Sequence, residues 1–167
     1  HLIGDIGNTE TKFCILNNNY KIIRRLKVDS SKLQSQFYFK KKIFPFILNK
    51  IGNKKALFSS VVPSVFLNIK KKLKKHFKIR CYELKQTHYS QTIKIKVNKK
   101  QIGSDRIANA IGAYFKYKCN CIVLDFGTAT TFDVINKGVY RGGIIAPGVN
   151  LSLNTLVKKA DQIPLFT

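Results

Sequence analysis

Acidic residues are scarce: 8 Asp and Glu stand against 31 Lys and Arg in 167 residues, a formal net charge of +23. Methionine and tryptophan are absent, and there are only 4 prolines and 4 cysteines. The uninterrupted apolar runs, such as residues 43–48, fall far short of the ~18 residues that a membrane-spanning helix needs. No secretory signal pattern opens the chain, and a first residue other than Met predicts a clipped N-terminus. Cys14, Cys81, Cys119 and Cys121 form no C-x-x-C pair and have no His at zinc-ligand spacing. A disulfide framework is therefore not expected, and the thiols read as reduced and buried in a cytoplasmic protein.

What is present is enough for a core. The hydrophobic content is 44%, at a length that suits a folded domain and excludes general disorder. The positive charge raises nucleic-acid binding as a function, but only Arg24, Arg25, Arg80, Arg106 and Arg141 carry guanidinium groups. Lys makes a poorer base reader than the planar fork of Arg. The abundant Lys, Ile, Asn, Phe and Tyr share A/T-rich codons, so base composition accounts for the surplus. A solvated lysine surface is expected, with nucleic acid not the expected partner.

The pattern along the chain is α/β. His1 to Gly7, Thr11 to Leu16 and Tyr20 to Val28 read as an antiparallel meander, with the turn at Asn17–Asn19. Asp29-Ser30-Ser31 is placed to cap a helix carrying Leu33, Phe37, Ile43 and Ile47. A strand over Ala56–Ser60 leads through Pro63 into an amphipathic helix with Val65, Ile69, Leu73 and Phe77 on one stripe and lysines on the solvent side. Ile79–Leu84 reads as a strand, and 89–100 as an exposed strand or loop. A helix opens at Gly103-Ser104 with Ile107, Ile111 and Tyr114 on one face. Strands follow at 119–124, 131–135 and 139–145, and a helix opens at Pro147-Gly148.

An internal repeat organises these elements. Asp5-Ile6-Gly7-Asn8-Thr9 and Asp125-Phe126-Gly127-Thr128-Ala129-Thr130-Thr131 each end a strand and begin a meander that leads to a helix. Two halves are expected, 1–102 and 103–167, the second cut short after its first helix. A glycine after an acidic strand end lets the backbone approach a ligand, and the following amides and hydroxyls suit phosphate oxygens. Asn8, Thr9 and Thr11 are candidate donors in the first copy, and Thr128, Thr130 and Thr131 in the second. The two turns are expected to face one another and grip a polyphosphate. Each Asp can hold a metal ion or its water, with Lys12 adding positive charge; alternatively each Asp only closes a tight turn.

Gly103-Ser104-Asp105-Arg106 places an acid and a guanidinium at a helix start. An ionised Asp105 can take the proton of an attacking hydroxyl, and Arg106 can bind a substrate carboxylate. The alternative is a helix-start acid with an ion-pair neighbour. Gly142-Gly143-Ile144-Ile145-Ala146-Pro147-Gly148 suits either close backbone approach to a ligand or simple packing. Three of the eight acids, Asp5, Asp105 and Asp125, fall in these glycine-containing motifs.

Together with Ser59-Ser60-Val61-Val62-Pro63, these motifs occur in an order that resembles the type III pantothenate kinases. The resemblance implies a duplicated ribonuclease-H-like fold of the acetate and sugar kinase, Hsp70 and actin superfamily. It implies ATP-dependent phosphorylation of pantothenate, the first step towards coenzyme A. Asp5, Ile6, Gly7, Asn8, Thr9, Glu10, Thr11 and Lys12 would form the ATP phosphate loop, and Thr128 would contact ATP. Asp125 would bind a monovalent cation, K⁺ or NH₄⁺, and Mg²⁺ would accompany ATP. Gly103, Ser104, Asp105 and Arg106 would hold pantothenate, with Asp105 as the catalytic proton acceptor. A homodimer without membrane association is implied. In the segment Lys96-Val97-Asn98-Lys99-Lys100, Asn98 matches the family pattern, but its aromatic residue and proline are missing. The family also continues beyond Thr167 with a further substrate-contacting threonine, so a truncated chain is expected. A kinase-related transcriptional regulator and another small-molecule kinase of the superfamily are the alternatives.

Overall fold

The computed structural model describes residues 1–48, 51–52 and 54–159. The chain divides into two compact units, one formed by His1–Tyr89 with Gly103–Asp105 and the other by Ser90–Ile102 with the residues from Arg106 onward.

In the first unit, β1 (Leu2–Ile6), β2 (Glu10–Leu16) and β3 (Ile22–Asp29) form the expected meander. Helix α1 (Gln36–Ile47), β4 (Lys55–Ser60), helix α2 (Pro63–Phe77) and β5 (Arg80–Glu83) follow. The sheet order is β3-β2-β1-β4-β5, with β4 parallel to both β1 and β5. Strand alternation sends Thr11, Phe13 and Ile15 inward and leaves Lys12 exposed. Phe13, Ile15, Phe58, Phe39, Ile43, Ile69 and Leu73 are all fully buried in one core. Each such side chain contributes roughly 1.5–3 kcal/mol through removal from water.

The helix expected directly after Asp29 is broken into two pieces. Asp29 Oδ1 accepts from the Ser31 amide and hydroxyl and starts only a 3-10 turn over Ser31–Gln34. Helix α1 then has its own cap, the Ser35 hydroxyl accepting from the Tyr38 amide at 3.2 Å. This break shifts the helical phase, so Phe37 is exposed while Phe39 takes the core position. Lys72 likewise departs from the all-solvent lysine face. Its ammonium donates to the carbonyls of Leu33, Gln34 and Ser35 at 2.8, 2.9 and 3.3 Å, closing the end of the 3-10 turn. Partial burial lowers its pKa.

In the second unit, the 89–100 segment holds a 3-10 turn and the two-residue strand β6 (Lys94–Ile95). Helix α3 (Ser104–Tyr117), which belongs to this unit from Arg106 onward, buries Ile107 and Ala110. Strands β7 (Cys121–Phe126), β8 (Ala129–Asn136) and β9 (Val139–Pro147) form the second meander, followed by α4 (Val149–Lys159). The sheet order is β6-β9-β8-β7. Among the described residues, no helix is long and apolar enough to cross a membrane.

The four cysteines are free, but the expectation that they are buried holds only for Cys81; Cys119 is exposed, and Cys14 and Cys121 are half-buried. Burial pushes the Cys81 thiol up to about 11. The folded state therefore holds this proton more tightly than the unfolded chain does, a contribution intact below the ordinary thiol value and lost as pH rises through about 11. Urea melts between pH 8 and 12 should show a loss of stability over roughly pH 9 to 11 that is missing in Cys81→Ala. An unchanged pH profile in that variant would refute the assignment.

Candidate phosphoryl-transfer site

The first Asp-x-Gly turn is built by the β1–β2 reversal. Asp5 lies across from Lys12 on β2 and from Ser59 on β4. The Gly7 amide donates to Glu10 O at 2.9 Å, closing the turn. Ser30 braces it from below: its hydroxyl donates to Gly7 O at 2.7 Å, and its amide to Thr9 O at 3.0 Å. Asn8 and Thr9 are exposed at the turn, as a phosphate loop requires, and Lys12 is exposed beside them. Thr11 is placed differently from an exposed donor: its hydroxyl is buried and shares a 2.9 Å hydrogen bond with that of Ser30. Ile6 is a core residue, so only its backbone could meet a ligand. Glu10 pairs with Lys27 at 2.6 Å.

The second turn lies between β7 and β8. Asp125 is exposed at the end of β7, opposite Thr131, and its Oδ2 accepts from Asn109 Nδ2 of α3 at 2.7 Å. This turn is one residue tighter than the first, with the Gly127 amide donating to Ala129 O at 3.0 Å. Thr128 is exposed, and its carbonyl accepts from the Gly148 amide at 3.1 Å. A Cβ on Gly148 would lie 2.5 Å from that carbonyl oxygen, so glycine lets the start of α4 close onto the turn. Thr130 is buried and Thr131 half-buried. Oxygen donors alone, the Asp125 carboxylate and the turn's hydroxyls and carbonyls, suit a hard cation. Among the described residues no group of three or more His, Cys, Asp or Glu gathers as a metal site.

The Gly103-Ser104-Asp105-Arg106 segment opens α3. Ser104 is buried, and its hydroxyl is hydrogen-bonded to Glu83 Oε1; Glu83 Oε2 accepts the Lys85 amide at 2.8 Å. Asp105 Oδ1 folds back over Gly103, in space that a Cβ there would occupy. Arg106 is only 9% exposed and its guanidinium reaches into the second unit's sheet. Its Nε donates to Asp133 Oδ1 at 2.7 Å, and Nη2 lies 2.6 Å from the same oxygen. Asp133 is fully buried and also accepts from the Tyr140 hydroxyl at 2.6 Å. The Thr131 hydroxyl stands 3.5 Å from its other oxygen. Gly143 belongs to this cluster, since a Cβ there would collide with Phe132 O and approach Arg106 Nη2 to 2.5 Å and Asp133 Oδ1 to 2.9 Å. Asn98 serves locally as a turn residue, accepting the Lys100 amide at 3.0 Å.

Sequence reasoning missed Asp133, Tyr140, Asn109 and Glu83. Asp133 did leave a signal: a lone acid inside the apolar run Phe132-Asp133-Val134-Ile135 must find a buried partner.

The fold is similar to that of two solved proteins. A Baf family protein from Campylobacter jejuni, described as a candidate transcriptional activator, superimposes with a TM-score of 0.55 at 18% identity, over 100% of this chain and 69% of that one. A sugar-kinase-like protein from Cytophaga hutchinsonii gives 0.52 at 14% identity, over 100% of this chain and 68% of that one. The type III pantothenate kinase family model matches residues 1–167, and the chain belongs to that family. A type III pantothenate kinase from Pelagibacter ubique is 53% identical over 163 residues, 98% of this chain and 65% of the relative. The chain thus spans about 65% of the length of such curated relatives.

Gly143→Ala should lower stability by about 1–3 kcal/mol, because the added methyl meets backbone and a buried ion pair that cannot retreat. Denaturant melts of the purified variant check this; a midpoint equal to wild type would show that the approach is not constraining.

Proposed function

We propose that the protein transfers the γ-phosphoryl group of ATP to the primary hydroxyl of pantothenate, giving 4'-phosphopantothenate and ADP. Family membership along the whole chain is the observation that carries this reading. The geometry within each unit is consistent with it. The exposed turn at Asn8 and Thr9, with Asp5 and Lys12 across from each other, offers amides, hydroxyls and an ammonium to phosphate oxygens. Thr128 offers the equivalent in the second repeat. Gly103, Ser104, Asp105 and Arg106 would receive pantothenate.

Asp105 acts as the base: its carboxylate takes the hydroxyl proton as the oxygen attacks the γ-phosphorus and the bond to the bridging oxygen of ADP breaks. The hydrogen bond between Ser104 and Glu83 fixes the helix start that carries it. Mg²⁺ on the nucleotide and K⁺ or NH₄⁺ at Asp125 would neutralise charge on the phosphates. The Asn109 donor sets the orientation of Asp125 for that role. A cytoplasmic homodimer belongs to the same reading.

The test is a coupled ADP-release assay on the full-length gene product with ATP, Mg²⁺, K⁺ and pantothenate. Asp105→Asn should lower kcat by about 10²-fold or more while the protein keeps its melting profile. Full turnover in that variant would remove Asp105 as the base. Replacing K⁺ with Na⁺ should raise the KM for ATP, and Asp125→Asn should abolish that ion dependence. Dependence on K⁺ that survives the substitution would place the cation elsewhere.

A further inference from the structure

Glu83 lies outside every motif of the sequence, yet it makes a polar contact that ties Ser104 to the first sheet. Strands β1, β4 and β5 run parallel, so their last residues, Ile6, Ser60 and Glu83, come to one end of that sheet, the end that carries the first Asp-x-Gly turn. Ligands of open α/β sheets bind outside the C-terminal ends of parallel strands. The Gly103–Asp105 segment is drawn to this same end. A Cβ on Gly103 would lie 3.4 Å from Val61 Cγ1, and the Val61 amide donates to Ile6 O at 3.0 Å, one residue before Gly7. The Glu83 carboxylate is itself held at both oxygens. Oε2 accepts the Lys85 amide at 2.8 Å and caps the 3-10 turn over Leu84–Gln86, while Oε1 accepts from the Ser104 hydroxyl. Ser104 is 1% exposed. A carboxylate can only accept, so the one proton of this hydroxyl is committed to Glu83 and is not offered to a substrate. Asp105 follows directly, with Oδ1 folded back over Gly103.

We infer that Glu83 is a positioning residue: it holds Ser104, and through Ser104 the backbone of Gly103–Asp105, so that the Asp105 carboxylate is presented at the end of the sheet where the phosphate turn lies. The inference rests on the kinase reading above, with Asp105 as the base, and deepens it by giving the Ser104 side chain a partner other than pantothenate. A base displaced by about 1 Å costs up to ~10²-fold in rate without any loss of substrate contacts. A serine that bound substrate through its hydroxyl would act on KM instead. A pair that served stability alone would alter the melting profile and leave the phosphoryl-transfer rate of the folded protein intact.

That division is the test. In the full-length gene product, the single-turnover rate of phosphoryl transfer and the KM values for ATP and pantothenate are measured below the melting transition of each variant. Ser104→Ala and Glu83→Ala should each lower the rate about tenfold or more, with both KM values within about twofold of wild type. The double variant should fall within about twofold of the slower single one, because both substitutions break the same link. If Glu83→Ala fails to fold, the split between rate and KM in Ser104→Ala decides alone. A raised KM for pantothenate at an unchanged rate in Ser104→Ala, unchanged rates in both single variants, or losses that multiply in the double variant would overturn the inference. Wild type that does not phosphorylate pantothenate with ATP would instead overturn the kinase reading.

Discussion

A carboxylate buried without exposure in the middle of a strand dictates much of the second unit. Asp133 needs a cation and further donors, or β8 could not lie where it does. Arg106 supplies the charge from the first turn of α3, which fixes the rotation of that helix on the sheet. Tyr140 supplies a hydroxyl from β9, which explains a tyrosine at a fully buried position where phenylalanine would pack as well. Gly143 supplies room. Its glycine identity, open in the sequence to a ligand-approach reading or a packing reading, is accounted for by the groups a Cβ would strike. One ionic contact thereby links a helix and two strands.

The two Asp-x-Gly turns show how one motif is tuned by its surroundings. In the first copy, Ser30 ties the turn to the end of β3 through Gly7 and Thr9. The second copy has no equivalent serine; the start of α4 closes on it instead, through the Gly148 amide and the Thr128 carbonyl. The bracing differs, and so does the loop length, three residues from Gly7 to its partner and two from Gly127. The acid itself is also held differently: Asp5 has Lys12 across the strand pair, whereas Asp125 accepts an amide from Asn109. The neutral amide of Asn109 orients the Asp125 carboxylate without offsetting its charge.

Much of this was legible in the sequence because it depends on local rules. Strand alternation gave both meanders, four-residue spacing gave α2, and glycine after a terminal Asp marked both turns. The break at Ser35 was not legible, because Asp29-Ser30-Ser31 and Ser35 are both good caps and only packing chooses between them. Phe37 and Phe39 look interchangeable until that choice fixes the phase. Lys72 and Asp133 were missed for the opposite reason. Their partners lie 37 to 39 and 27 residues away, beyond any spacing rule. Thr11 shows the same limit, since a hydroxyl beside a glycine turn reads as a ligand donor until Ser30 is seen to occupy it.

The imbalance of charge gains a physical meaning from these placements. With 31 basic residues to 8 acidic ones, a random acid would mostly find lysine as its neighbour. Glu10 and Asp29 do so at the surface, where such pairs contribute little. Glu83, Asp125 and Asp133 instead engage a serine, an asparagine, a tyrosine and an arginine, through short hydrogen bonds that fix carboxylate geometry. Lysine, a flexible point charge, neutralises without orienting. Glu83, Asp125 and Asp133 are thus distinguished by partners that orient, in a chain whose composition favours lysine.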